Sequence, residues 1–114
     1  MEKIIFILTL LFTHFSMAQG ISLSSCTNLV DDIIECTSPQ LFVNEKSSFI
    51  HYNDITAQGW CHRLGKELVS VEINLLYSGS FAILTESGDL YSEQTVESYE
   101  DIKSVPIISK IYCY

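Results

Sequence analysis

His51, Asp54, Cys61 and His62 are the residues of this chain whose types and spacing come closest to a metal site or an activated thiol. A thiolate nucleophile needs a histidine within hydrogen-bond reach, and a metal needs several ligands converging on one point. Cys61 and His62 are neighbours in sequence, so on a helix they project about 100° apart and do not readily share an ion. No histidine follows residue 62, so a cysteine served by a distant downstream histidine cannot be built. The plainer reading is a disulfide cysteine beside a helix-end histidine. The acid pairs Asp31-Asp32 and Glu100-Asp101 could contribute oxygen ligands to calcium, but neither has the D-x-[DN]-x-[DN]-G spacing. They read as solvated acids. A glycosidase-type carboxylate pair is defined in space, so a small hydrolase stays open as an alternative with no pair singled out. No catalytic residue, cofactor or metal ligand is assigned.

Aromatic residues carry the other candidate chemistry. Tyr77, Tyr91, Tyr99, Tyr112 and Tyr114, with Trp60, form a set richer than a small core requires. Tyrosine and tryptophan are favoured at recognition surfaces because they combine contact area with a polar handle. The competing account is strand tyrosine, half-buried for β-propensity. Tyr77, Tyr91, Tyr112 and Tyr114 are taken as the candidate binding surface; the last two should lie opposite Cys113 and face outward.

The compartment in which these residues work is written at the start of the chain. A basic start at Lys3, an apolar run from Ile4 to Phe15, and small residues at Ser16 and Ala18 make a secretory signal peptide cut near Ala18. The run is shorter than the ~20 residues a bilayer span needs. The expected destination is secreted or periplasmic. Cys26, Cys36, Cys61 and Cys113 all follow the cut, and an even count in a small exported chain reads as two disulfides. The absence of C-x-x-C excludes the thioredoxin-like motif and the usual zinc spacing. Leu23-Ser24-Ser25-Cys26 has the residue types of a bacterial lipobox, with a lipid anchor at Cys26. Against that reading, polar residues separate it from the apolar run, and lipidation would leave an odd number of cysteines.

Net charge is −8, and it does not change when Glu2 and Lys3 leave with the signal segment. Such a surface lacks the cations that displace counterions from nucleic acid, and it disfavours anionic lipid. The expected partner is a protein or glycan ligand, with no nucleic acid and no membrane span.

What must position these residues is a small domain over 26–114, preceded by a flexible leader over 19–25. Leu29-Val30 and Ile33-Ile34 around Asp31-Asp32 fit either one helix or two strand ends about a turn. A helix would hold Cys26 and Cys36 about 15 Å apart, beyond disulfide reach, so helix and bond exclude each other. A strand is expected at Leu41–Val43, followed by a polar turn from Asn44 to Ser48 and a second short apolar segment, Phe49–Tyr52. The best helix is Asp54–Leu64: Asn53 or Asp54 caps it, Ala57, Trp60, Cys61 and Leu64 form one stripe, and Gly65 follows its end. Gly59 costs that helix about 1 kcal/mol relative to alanine, a cost that close approach to a sheet would explain.

From Leu68 the period is two. Val69, Val71, Ile73, Leu75 and Tyr77 make one face of a strand, Ser78-Gly79 a hairpin turn, and Phe81, Ile83 and Thr85 the return. Ser87-Gly88-Asp89 turns into a short Leu90-Tyr91 segment, and residues 92–101 read as a solvated acidic loop. Pro106 opens a last strand, Ile107–Tyr112, on which Ile107, Ile111 and Cys113 share a face. Cys61 and Cys113 then both point at a helix–sheet core. Pairing them, with Cys26 to Cys36, is one of three connectivities.

Ala57-Gln58-Gly59-Trp60-Cys61-His62-Arg63-Leu64-Gly65, followed by Leu68-Val69-Ser70, resembles the A-x-x-x-C-x-x-L-G segment of scavenger receptor cysteine-rich domains. The likeness covers about a dozen residues and the final cysteine; the family's opening Gly-Trp-Gly-Thr-Val-Cys motif is missing, and the cysteines are fewer. It implies a curved sheet cradling a helix, a helix cysteine bridged to the end of the last strand, and a ligand-binding role. It transfers no site residue. The expectation is an α+β fold, a small antiparallel β-sheet packed against one α-helix and disulfide-stabilised. The expected role is an exported, non-catalytic binding module. A small secreted inhibitor or toxin-like effector is the alternative.

Overall fold

The computed structural model describes residues 21–22, 25–97 and 103–114; residues 1–18 lie outside them. Ile21–Ser22 (β1), expected in the flexible leader, instead pair with Leu41 and Phe42. Cys26–Asn28 (β2) and Ile34–Thr37 (β3) form a hairpin in which Cys26 lies directly opposite Cys36. The ambiguous segment is thus two strands about a turn. Asp31 and Asp32 hold φ of 58° and 63°, as a primed hairpin turn requires, and Ile33 N–H donates to Val30 O at 3.3 Å. Gln40–Val43 (β4) and Lys46–Ile50 (β5) repeat the device, with Asn44 and Glu45 at φ 51° and 64°.

Helix α1, Asp54–Arg63, starts where Asn53 accepts the Thr56 N–H at 2.7 Å. It buries Ala57, Trp60 and Cys61, with Thr56 and Gly59 beside them. Thr56 Oγ1 meets both the N–H (3.3 Å) and the O (3.4 Å) of Leu84, tying the helix to the strand beneath. Leu68–Leu76 (β6), Gly79–Leu84 (β7), Leu90–Val96 (β8) and Val105–Cys113 (β9) complete the described elements.

The α+β class stands, but the single antiparallel sheet is corrected to two. One sheet has the order β1-β4-β5-β7-β8, the other β2-β3-β9-β6. In the first, β5 and β7 run parallel, joined by a long crossover that passes through the helix and through β6 of the other sheet. The expected β6–β7 hairpin is absent: Ser78-Gly79 carries the chain from one sheet into the other, and β6 pairs instead with β9. At the seam, His51 N–H donates to Ala82 O (2.9 Å) and Tyr52 N–H to Pro106 O (2.8 Å).

The segment expected as an acidic loop is in part β8, paired with β7 along its length and burying Val96. It is an edge strand, so it needs few apolar residues; residues 98–102 lie outside the described set. In β9, Glu72 faces Lys110 while Ile73 faces Ile108, leaving Ser109 as an extra residue in the ladder. A bulge of this kind reverses side-chain parity. Ile108, Ile111 and Cys113 therefore join the main core with Trp60, Leu41, Ile50 and Leu84. Ile107, expected on their face, instead joins a second cluster with Leu76, Phe81 and Val96.

Candidate functional site: an exposed sheet edge

The disulfides form as Cys26–Cys36 and Cys61–Cys113. A sulfur engaged in that first bond cannot also form the thioether of a lipid anchor at Cys26. The second bond fixes the helix to the last strand; Cys61 and Cys113 are both fully buried.

His51, Asp54, Cys61 and His62 do not converge. His51 packs its ring on Phe81 with centroids 5.5 Å apart, and burial pushes its pKa below the ordinary 6.5. Asp54 accepts the Tyr52 hydroxyl at 3.1 Å. His62 sets Nδ1 against Glu86 O at 2.6 Å and Nε2 against Glu67 Oε2 at 3.0 Å, a latch between the helix end and two loops. The Glu86 carbonyl first, then the Glu67 carboxylate, favours the imidazolium and raises its pKa. Among the described residues no three of His, Cys, Asp and Glu are grouped to hold a metal ion. Asp31 and Asp32 stand in an exposed turn, while Glu100, Asp101 and Tyr99 lie outside the described residues.

The four tyrosines do not share one patch. Tyr112 pairs across from Glu35 and Ser70 on the outer face of the second sheet, and Tyr114 follows at that same end. Desolvation, then the Glu35 carboxylate, pushes the Tyr112 phenol upward. Tyr77 follows the far end of β6, about 20 Å from Ser70 at ~3.3 Å per strand residue. Tyr91, 73% exposed, belongs to β8 in the other sheet.

What the structure brings together instead is the edge strand beside Tyr77. β6 pairs with β9 on one side and, among the described residues, with nothing on the other. Along it Val69 (52%), Ile73 (53%), Leu75 (47%) and the adjoining Tyr77 (49%) are exposed. Residues opposite each other in a ladder point to the same side, so Ile73 and Leu75 share a face with Ile108 and Pro106. Leu68 and Val71, nearer the helix, are the part of that face which reaches the core. Glu72 lies on the other face, opposite Lys110, whose ammonium is 3.6 Å from Glu35 on the next strand. The period-two pattern of β6 predicts that its apolar residues face a core. Alternation reports a strand with two unlike faces, and it does not say which face another layer will cover.

A second projection is the β2–β3 turn. Val30 is 77% exposed and Leu29 is also exposed, at the turn end of the hairpin whose other end the Cys26–Cys36 bond closes. Lys66 Nζ holds this turn from the side, donating to Asp32 O at 2.9 Å.

Comparison with protein-family models, with curated proteins and with solved structures finds no match to this chain.

Proposed function

We propose that this chain is an exported, non-catalytic binding module that engages a protein partner through the β6 edge, after removal of residues 1–18. The single observation carrying the reading is a nine-residue edge strand that exposes Val69, Ile73 and Leu75, with Tyr77 at its end. Natural edges are usually short, charged or covered, because bare backbone N–H and C=O groups recruit other strands. An edge rich in branched apolar residues, with no strand beside it among the described residues, is therefore best explained by a partner that covers it. Export is supported by the two disulfides, which suit an oxidising compartment. Among the described residues no helix is long and apolar enough to cross a membrane. The resemblance of the helix segment and of the Cys61–Cys113 bridge to scavenger receptor cysteine-rich domains suits a ligand-binding role. The test is site-specific photo-crosslinking in the producing culture, with the reactive residue at Val69, Leu75 or Tyr91. Adducts of one mass from the two β6 positions support the proposal. No β6 adduct, or adducts from Tyr91 alone, removes it.

A second reading has its own observation. The alternative of a small secreted inhibitor needs a rigid exposed loop, and Leu29-Val30, at the tip of a hairpin that the Cys26–Cys36 bond closes at its base, has that form. Titrating a panel of secreted proteases with the chain and with Val30→Asp decides it. No inhibition by the unmodified chain at large molar excess retires the inhibitor reading.

A further inference from the structure

Resting on the reading of the chain as a binding module, we infer that β6 takes an extended segment of a partner protein as a fifth strand of the second sheet, and that this segment carries a basic residue opposite Glu72. Among the described residues the outer side of β6 has no strand beside it, and although Asn74 Oδ1 already accepts the Leu75 N–H at 2.9 Å, the backbone groups of that side are met in register by another extended chain. Side-chain alternation sets the pattern of that chain. Ile73 and Leu75 ask for apolar residues on one face, and Glu72 asks for a cation on the other. Lys110 does not fill that need, because it already lies 3.6 Å from Glu35 on its other side, leaving two carboxylates around one ammonium.

A second copy of the chain is the obvious competitor, and the charge pattern opposes it. Glu72 is the middle residue of Leu68–Leu76, so a twofold antiparallel pairing centred on β6 sets Glu72 against its own copy. Like charges directly opposite in a ladder are destabilising. Each chain also carries a net charge of −8, which adds a longer-range repulsion. A heterologous basic strand turns both terms favourable.

The experiment uses the disulfide-bonded secreted chain and two blocked peptides of about β6 length, alternating Thr and Val with either Lys or Glu at the centre. Fluorescence anisotropy gives the affinities, and amide shifts in nitrogen-15 spectra locate the contact. The Lys peptide should bind roughly tenfold more tightly than the Glu peptide, from the sum of one favourable and one unfavourable cross-strand pair. Glu72→Lys should invert that order, and Ile73→Thr with Leu75→Thr should weaken both peptides while leaving the fold intact. Shifts confined to β6 and β9 complete the expected result. Equal affinities, no inversion by Glu72→Lys, or no binding of either peptide overturns the inference. Sedimentation of the free chain as a dimer that Ile73→Thr with Leu75→Thr abolishes overturns it in favour of a second copy. If the peptides fail while photo-crosslinking from Val69 and Leu75 still captures a partner, strand addition falls and the binding module stands. If both fail, both fall.

Discussion

Replacing Gly59 by alanine sets two effects of opposite sign against each other, and the structure decides the winner. In an exposed helix interior, glycine to alanine stabilises by about 1 kcal/mol. At this position a Cβ would lie 2.1 Å from Thr85 O, 3.2 Å from Thr85 C and 3.3 Å from Leu84 Cβ. The first contact is with backbone, so it cannot be relieved by turning a side chain. Neither partner is free to withdraw. Thr85 O accepts the Gly88 N–H at 2.9 Å, Leu84 is held by Thr56, and the helix is tied to β9 through Cys61–Cys113. Gly88 closes the same contact from the other side: a Cβ there would meet Gly59 O at 2.7 Å. Overpacking of a tight site costs about 1–3 kcal/mol, and a backbone clash belongs at the upper end. The expected net loss is about 2 kcal/mol, a fall in melting temperature of roughly 10 °C for a domain of this size. Trp60 is the sole tryptophan and is fully buried, so its fluorescence during urea unfolding reads the change directly. An unfolding midpoint for Gly59→Ala above that of the parent refutes the close-approach account.

Paired serine substitution of Cys61 and Cys113 should destabilise by about 4 kcal/mol, and of Cys26 and Cys36 by about 3, since chain entropy weights the longer loop. Calorimetry of the two double variants checks the order. His62 has its folded pKa raised above 6.5, so its latch contributes fully below the unfolded value and is lost as pH rises through the folded one. Melting temperature of the parent minus that of His62→Gln should therefore fall from pH 6 to pH 8, and a flat or rising difference contradicts the latch. His51 acts in the opposite sense. Its pKa is lowered by burial, so the stability linked to its neutral form is lost as pH falls through that value, and parent minus His51→Gln should shrink on acidification. Ser48 is fully buried, and its Oγ has no hydrogen-bond partner among the described residues. Ser48→Ala should raise stability by about 1 kcal/mol in urea titration, because it removes a desolvated hydroxyl.

Local chemistry was legible from the chain alone. A cap at Asn53 or Asp54, Gly65 beyond the helix, and the buried stripe of Ala57, Trp60 and Cys61 follow from neighbours within two helical turns, whereas the backbone that Gly59 meets, at Thr85, is known only from the fold. That a helix and a Cys26–Cys36 bond exclude each other likewise follows from distance alone, and the fold decides for the bond. Long-range pairing was decided only in three dimensions. Nothing local distinguishes a β6 that turns back on β7 from one that joins β9, since either partner satisfies the same backbone groups. One unpaired residue, Ser109, moved Ile107 to the opposite face, and no pattern of period two can announce such a slip. The candidate site is invisible in sequence for the same reason. Val69, Ile73 and Leu75 have the types of a buried face, and they become a surface because the helix and the other sheet cover only part of the strand.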